Sequence, residues 1–213
     1  MSILIEISEN IQRGKAKVIK ELVPQALEQG IDAHQILNEG LMAGMAVVAE
    51  KFKTKEVFVP EVLIAARAMK TGTDLLKPIL VKEGQQFIGR ACVGTVKGDQ
   101  HDIGKNLVRM MLESRGIEVI DLGVEVSPEM FVSTAKEKEC NIICCSALLT
   151  TTMGVMGEVV QLLEAEGLRD KIKVMVGGAP VNQAYADSIN ADVYTSDAAS
   201  CADAAVAICK AGA

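Results

Sequence analysis

The densest chemistry in this sequence lies in "GDQHDIGKN", Gly98 to Asn106, which holds one of only two histidines in 213 residues. Asp99 stands two residues before His101, and Gly104 three after it. An aspartate beside a histidine can work as an acid–base pair. It can also orient an imidazole that ligates a metal through its other ring nitrogen. A plainer reading is a strand-to-helix loop in which Asp99 caps the helix. The phosphate-loop patterns G-x-G-x-x-G and G-x-x-x-x-G-K-[ST] are absent, as is the G-x-S-x-G elbow of a serine hydrolase. The other histidine, His34, reads as an exposed helix residue in the first half. A receiver domain needs a phosphorylatable aspartate after its third strand, where Ser146 stands here. One histidine is too few ligands for a zinc or non-haem iron centre. It is enough where a macrocycle supplies the equatorial ligands.

Composition bounds the setting. Hydrophobic residues make up 49% and charged residues 23%, as in a soluble globular protein with a full core. A net charge of −6 argues against nucleic acid as the main partner, because phosphate binding needs clustered Lys and Arg. No apolar run approaches the ~18 residues of a membrane span, and the start does not read as a signal peptide. These features imply a cytoplasmic protein. Six cysteines without a C-x-x-C pair argue against zinc and for buried free thiols. Adjacent Cys144 and Cys145 are expected on opposite faces of a strand.

Two kinds of element must position the cluster. The first ~80 residues repeat apolar positions at helical spacing. Helices are expected over Ile11–Leu27 (with Pro24 as a kink), from about Ala33 to Phe52, and from "FVPEVLIAARAMK" onward, with Pro60 in its first turn. This half, residues 1–84, reads as a helical-bundle cap, and Val81 to Arg90 as a linker. Residues 90–213 change grammar. "RACVGTV", "IEVIDLG", "NIICCSAL", "KIKVMVGG" and "DVYTS" are strand-like runs alternating with helical stretches. That pattern calls for an α/β fold, a Rossmann-like (flavodoxin-like) five-stranded parallel sheet covered on both faces.

In such a sheet, ligands gather beyond the carboxyl ends of the strands, at the switch point of strand order. Strand one ends in Lys97-Gly98-Asp99-Gln100-His101, with a helix expected from about Gly104. Strand three ends in Ser146 to Thr152, strand four in Gly177-Gly178-Ala179-Pro180, and strand five in Tyr194 to Ala198. All these loops are rich in small and hydroxyl residues, whereas the opposite edge has ordinary polar turns.

With those residues in place, the second half resembles the cobalamin-binding domain of methionine synthase and of corrinoid proteins in anaerobic methyltransferase systems. The resemblance rests on Asp99-x-His101-x-x-Gly104, Ser146-x-Leu148 and Gly177-Gly178, each at the end of its expected strand. The first half resembles the same family's helical cap through "GLMAGMAVVAEKFKTKEVFVPEVLIAARAMK". Nearly the whole chain is covered.

The resemblance implies a cobalamin cofactor whose lower axial base is displaced by His101 (base-off/His-on). Asp99 would hydrogen-bond His101, and Thr152, where methionine synthase has serine, would complete a proton relay. Gly98, Gln100, Asp102 and Gly104 would belong to the same cofactor loop. Ser146, Leu148, Thr150, Gly177 and Gly178 would line the slot for the nucleotide tail, closed by Asp197 and Ala198. Phe52 and Val59 would cap the upper face of the corrin, and Asn38 or Glu39 could add a polar contact. The chain would then be a methyl carrier, cycling between cobalt(I) and methyl-cobalt(III), rather than a complete enzyme. Its partners would be a substrate-specific donor methyltransferase, an acceptor methyltransferase (using tetrahydrofolate, coenzyme M or a similar acceptor) and a reductive activase. Two other classes share the cobalamin domain: subunits of adenosylcobalamin-dependent mutases, and cobalamin-based sensors or regulators. The methyl-type cap argues against the first. The absence of tryptophan and of a basic DNA-binding segment argues against the second.

Overall fold

The computed structural model describes residues 2–82 and 87–211. Strand β1 (Gly89–Val96) has its last six residues buried, as a central strand covered on both faces requires. It is followed by α6 (Ile103–Glu113), β2 (Ile117–Val126), α7 (Pro128–Glu137), β3 (Ile142–Ser146), α8 (Gly154–Ala165), β4 (Lys173–Gly177), α9 (Gln183–Ser188), β5 (Val193–Tyr194) and α10 (Ala198–Ala211). The sheet is entirely parallel with order β2-β1-β3-β4-β5, so the expected flavodoxin-like topology holds. Chain direction across the sheet reverses after β2, which places the switch point between β1 and β3.

One core is built around Phe131, with Cys92, Ile143, Cys145, Val160 and Val174 packed near it. Fully burying a side chain of this kind contributes about 1.5–3 kcal/mol. Cys145 belongs to that face, whereas Cys144 makes its sulfur contact with Cys201 of α10. The pair is therefore split across the sheet, as alternation along a strand demands. All six cysteines are buried and free.

Residues Met1–Gln86 and Phe87–Ala213 form separate compact units. The first contains α1 (Ile3–Gln12), α2 (Ala16–Glu28), α3 (Ala33–Gln35), a π-helical segment (Ile36–Met42), α4 (Ala43–Lys53) and α5 (Val59–Lys82). The single helix expected over Ile11–Leu27 is instead two. Gly14 takes φ +65° between them, and a Cβ there would fall 2.6 Å from Ile64 Cγ1. Only glycine suits that turn. Pro24 sits inside α2 without ending it. The helix expected from Ala33 to Phe52 is present but passes through the π segment, and His34 within it is half-buried rather than exposed. Val59 opens α5 and Pro60 occupies its first turn, where the Phe58 amide donates to the Glu61 carboxylate. The linker expected over Val81 to Arg90 is narrower: Val81 and Lys82 are helical, and Gly89 and Arg90 belong to β1. Residues 83–86 of that stretch lie outside the described residues.

Candidate functional site

β1 delivers its chain directly into the candidate loop. Lys97 N–H donates to the Val126 carbonyl, and Gly98 turns with φ +84°, which sends Asp99 back under the sheet edge. Asp99 is 0% exposed, an unusual place for a carboxylate, and five donors account for it. Oδ1 accepts from the His101 amide at 3.0 Å and faces His101 Nδ1 at 2.7 Å. Oδ2 accepts from the amides of Leu148 (2.7 Å) and Leu149 (3.2 Å), and from Thr152 Oγ1 at 3.4 Å. Burial pushes the carboxyl group up, but the His101 amide, the Leu148 amide, the His101 ring and the Leu149 amide outweigh it. The net shift is well below the ordinary carboxylate range,. One ionised side chain thus bridges the loops after β1 and β3, across the switch point.

Because Asp99 is an anion with no proton to give, His101 Nδ1 must be the donor in their contact. A neutral His101 ring therefore carries its lone pair on Nε2. The ring itself is open, with 54% of the side chain exposed. Thr95, fully buried in β1, donates its hydroxyl to the His101 carbonyl at 2.8 Å. Sequence reading missed Thr95, although its place one residue before the strand's end was a signal. Asp99 does not cap α6. Asp102 holds the N-cap position, its side chain accepting from Asn106 rather than from the helix amides. The helix begins at Ile103, one residue earlier than expected.

The other candidate residues divide clearly. Thr95, Ser146 and Gly177 are in register across β1, β3 and β4, so three strand ends meet at one row. Gly178 takes φ +134°, and a Cβ there would fall 1.8 Å from the Ala147 carbonyl oxygen. Its hydrogen atom is what lets the β3 and β4 loops touch. Gln100, Asp102, Gly104, Leu148 and Thr150 are exposed beside this row. Asp197 accepts from Ser200 N and Oγ, both at 2.8 Å, so its carboxylate is engaged in capping α10. Ala198 is buried. The single hydroxyl hydrogen of Thr152 is shared between the Asp99 carboxylate and the nearer Leu149 carbonyl, at 2.9 Å,. Phe52 and Val59, both half-buried, belong to the first unit, as do the exposed Asn38 and Glu39.

Among the described residues, no group of three or more His, Cys, Asp or Glu side chains could hold a metal ion. A metal at His101 must bring its other ligands with it. Residues 89–208 match the B12 binding domain family, and residues 4–77 match a second B12 binding domain family. The chain belongs to the B12-binding corrinoid proteins. It is 42% identical over 196 residues to dimethylamine corrinoid protein 3 of Methanosarcina acetivorans, covering 92% of each chain. It resembles the methanol:cobalamin methyltransferase complex MtaBC of Methanosarcina barkeri with a TM-score of 0.87 and 31% identity, covering 98% of this chain and 80% of that one. A cobalamin-binding protein of Desulfitobacterium hafniense matches with a TM-score of 0.80 and 31% identity over 100% of both chains.

The cofactor of this family member is a cobalamin-type corrinoid, and the residues present fit one. His101 offers a single exposed nitrogen lone pair, which is all that a metal already held in a macrocycle needs. Around it, Ile103 is 70% exposed and Leu148 and Leu149 are also uncovered. Apolar side chains left open beside a polar ligand form a floor suited to a large, flat, mostly apolar ring. A Cβ at Gly104 would meet nothing within 4 Å, so the first turn of α6 leaves open space two residues beyond the loop.

Proposed function

We propose that the protein is the methyl-carrying subunit of a multi-component methyltransferase, with His101 as the residue that would ligate the cobalt of its corrinoid. The observation that carries this reading is the fully buried Asp99 carboxylate, held by five donors and bonded to His101 Nδ1. The corrinoid supplies a cobalt atom that can accept a methyl group and give it up. Everything else falls to the chain.

His101 presents Nε2 as the lone-pair atom because Asp99 keeps the proton on Nδ1. With Nδ1–H held by Asp99, Nε2 is the ring atom that would hold the metal,. Nδ1 lies 2.7 Å from the Asp99 carboxylate, which fixes the direction of the ring. Asp99 itself stays ionised, since its proton affinity is held so low. Thr152 and the two backbone amides hold the anion in place throughout. In this reading Ser146, Leu148, Thr150, Gly177 and Gly178 would line the slot for the cofactor's tail.

The partners are a donor methyltransferase, an acceptor methyltransferase and a reductive activase. Relatives named for dimethylamine and trimethylamine, and the methanol:cobalamin complex, point to methylamines and methanol as the first donors to try. The test is to reduce the cobalamin-loaded protein and combine it with methylamine- and methanol-specific donor methyltransferases and their substrates. One methyl group per chain is expected, with the rate at least ~10-fold lower in His101→Ala, about 1.4 kcal/mol at the barrier. Transfer from every donor at an unchanged rate in His101→Ala would refute the role given to His101.

A further inference from the structure

The last turn of β2 is irregular in a way that pairing with β1 does not require. Val93 pairs with Asp121, Gly94 with Gly123 and Val96 with Val126, so the register slips twice within six residues. Each slip gives β2 one more residue than β1, as in a β-bulge. Gly123 and Glu125 both take positive φ, +79° and +59°. For glutamate that conformation costs about 1 kcal/mol, so something must hold it. Such outliers collect where a fold positions a functional group.

The two extra residues carry Glu125 beyond the end of β1, against the loop that bears His101. Its carboxylate accepts from Gly98 N–H at 2.8 Å. Its own N–H donates to the Asp99 carbonyl at 3.2 Å, and the next residue, Val126, accepts from Lys97 N–H at 2.8 Å. Three consecutive loop residues, 97 to 99, are therefore each tied to the end of β2. The base of this strap is also anchored. Asp121 accepts from Gly123 N–H at 2.9 Å and from Lys105 Nζ at 2.5 Å. Lys105, 2% exposed, lies in the first turn of α6, directly after His101. Arg109 completes the set at 2.9 Å from Asp121.

We propose that Glu125 is a positioning residue for His101: through Gly98 and Asp99 it fixes the height and tilt of the loop from which the imidazole reaches the metal. The proposal rests on His101 being the lower ligand. Glu125 touches neither the imidazole nor the bound group, and acts only through the loop. Loss of its carboxylate frees Gly98 N–H and lets the Asp99–His101 unit drift relative to the sheet edge.

Glu125→Asn is the informative variant, because asparagine tolerates positive φ but is one methylene too short to reach Gly98. Glu125→Gln keeps both reach and a carbonyl acceptor. In the unloaded protein, exchange of the Gly98 amide is expected to rise about tenfold in Glu125→Asn and to return in Glu125→Gln. In the cobalamin-loaded, cobalt(II) protein, at least half of the molecules should lose the imidazole nitrogen splitting in the electron paramagnetic resonance spectrum. Glu125→Gln should restore it. Glu125→Gly, which needs no strained backbone, should show the same loss as Glu125→Asn. A wild-type spectrum in folded Glu125→Asn and Glu125→Gly overturns the proposal. His101→Ala, measured alongside, separates the two claims. If it keeps the nitrogen splitting, the ligand assignment has failed. If it loses the splitting while the Glu125 variants do not, only the positioning role has failed.

Discussion

Replacing Asp99 with asparagine sets an NH2 group against donors whichever way the amide is turned. Facing Leu148 and Leu149, it leaves two buried amides without an acceptor. Facing His101, it opposes the His101 amide and forces the ring to accept at Nδ1, which moves the ring proton onto Nε2. Asp99→Asn is therefore expected to lose about 1–3 kcal/mol in chemical denaturation, and also the imidazole signature of the loaded protein. A variant with wild-type stability and spectrum would contradict the five-donor account. The same carboxylate predicts a pH dependence. Its folded pKa lies below the ordinary value of 3.8, so its contribution is complete above that value and is lost as pH falls through the folded one. Between pH 6 and pH 3, wild-type stability should fall more than that of Asp99→Asn; equal slopes would remove Asp99 as a source. The pairing of Asp99 with His101 was legible in the sequence because side-chain type and spacing encode it. The Leu148 and Leu149 amides were not, since backbone donors leave no residue signature.

At the level of elements, two glycines on the same edge should behave oppositely. Gly178→Ala puts a methyl group 1.8 Å from a backbone oxygen. The β3 and β4 loops must separate, at a cost of about 2–4 kcal/mol, with cobalamin uptake lost in parallel. Gly104→Ala adds a methyl group inside α6 where no atom lies within 4 Å. It should leave the folding stability unchanged or raise it, by up to about 1 kcal/mol of helix propensity, while weakening cobalamin binding. Equal effects on stability and binding in both variants would mean that the open space at Gly104 is not part of the site. The sheet was readable because buried parallel strands are continuous apolar runs. The ends of the cap helices were less so. The break at Gly14 depends on Ile64 of a distant helix, and a π segment keeps the apolar spacing of an α-helix nearly intact. The bulged end of β2 was invisible for a related reason: "DLGVEV" reads as an ordinary strand until its register against β1 is known.

The whole molecule keeps its reactive sulfur inside. All six thiols are buried, and burial pushes the Cys145 and Cys209 thiols up, away from the reactive thiolate. Native protein should show fewer than one fast-reacting thiol per chain toward an aromatic disulfide reagent, and all six after denaturation. Rapid labelling of several would contradict the packing of β1, β3 and α10. Among the described residues no helix is long and apolar enough to cross a membrane. Two units, one helical and one α/β, match separate B12-binding families, so the functional claim converges on the single histidine at the sheet edge. The most direct test of that claim labels histidine with 15N, loads the protein with cobalamin and reduces it to cobalt(II). Ligation by His101 predicts that the three-line nitrogen splitting of the paramagnetic resonance spectrum becomes two-line on labelling and disappears in His101→Ala. A three-line splitting that survives both changes would mean that the cofactor keeps its own base, and would contradict the account.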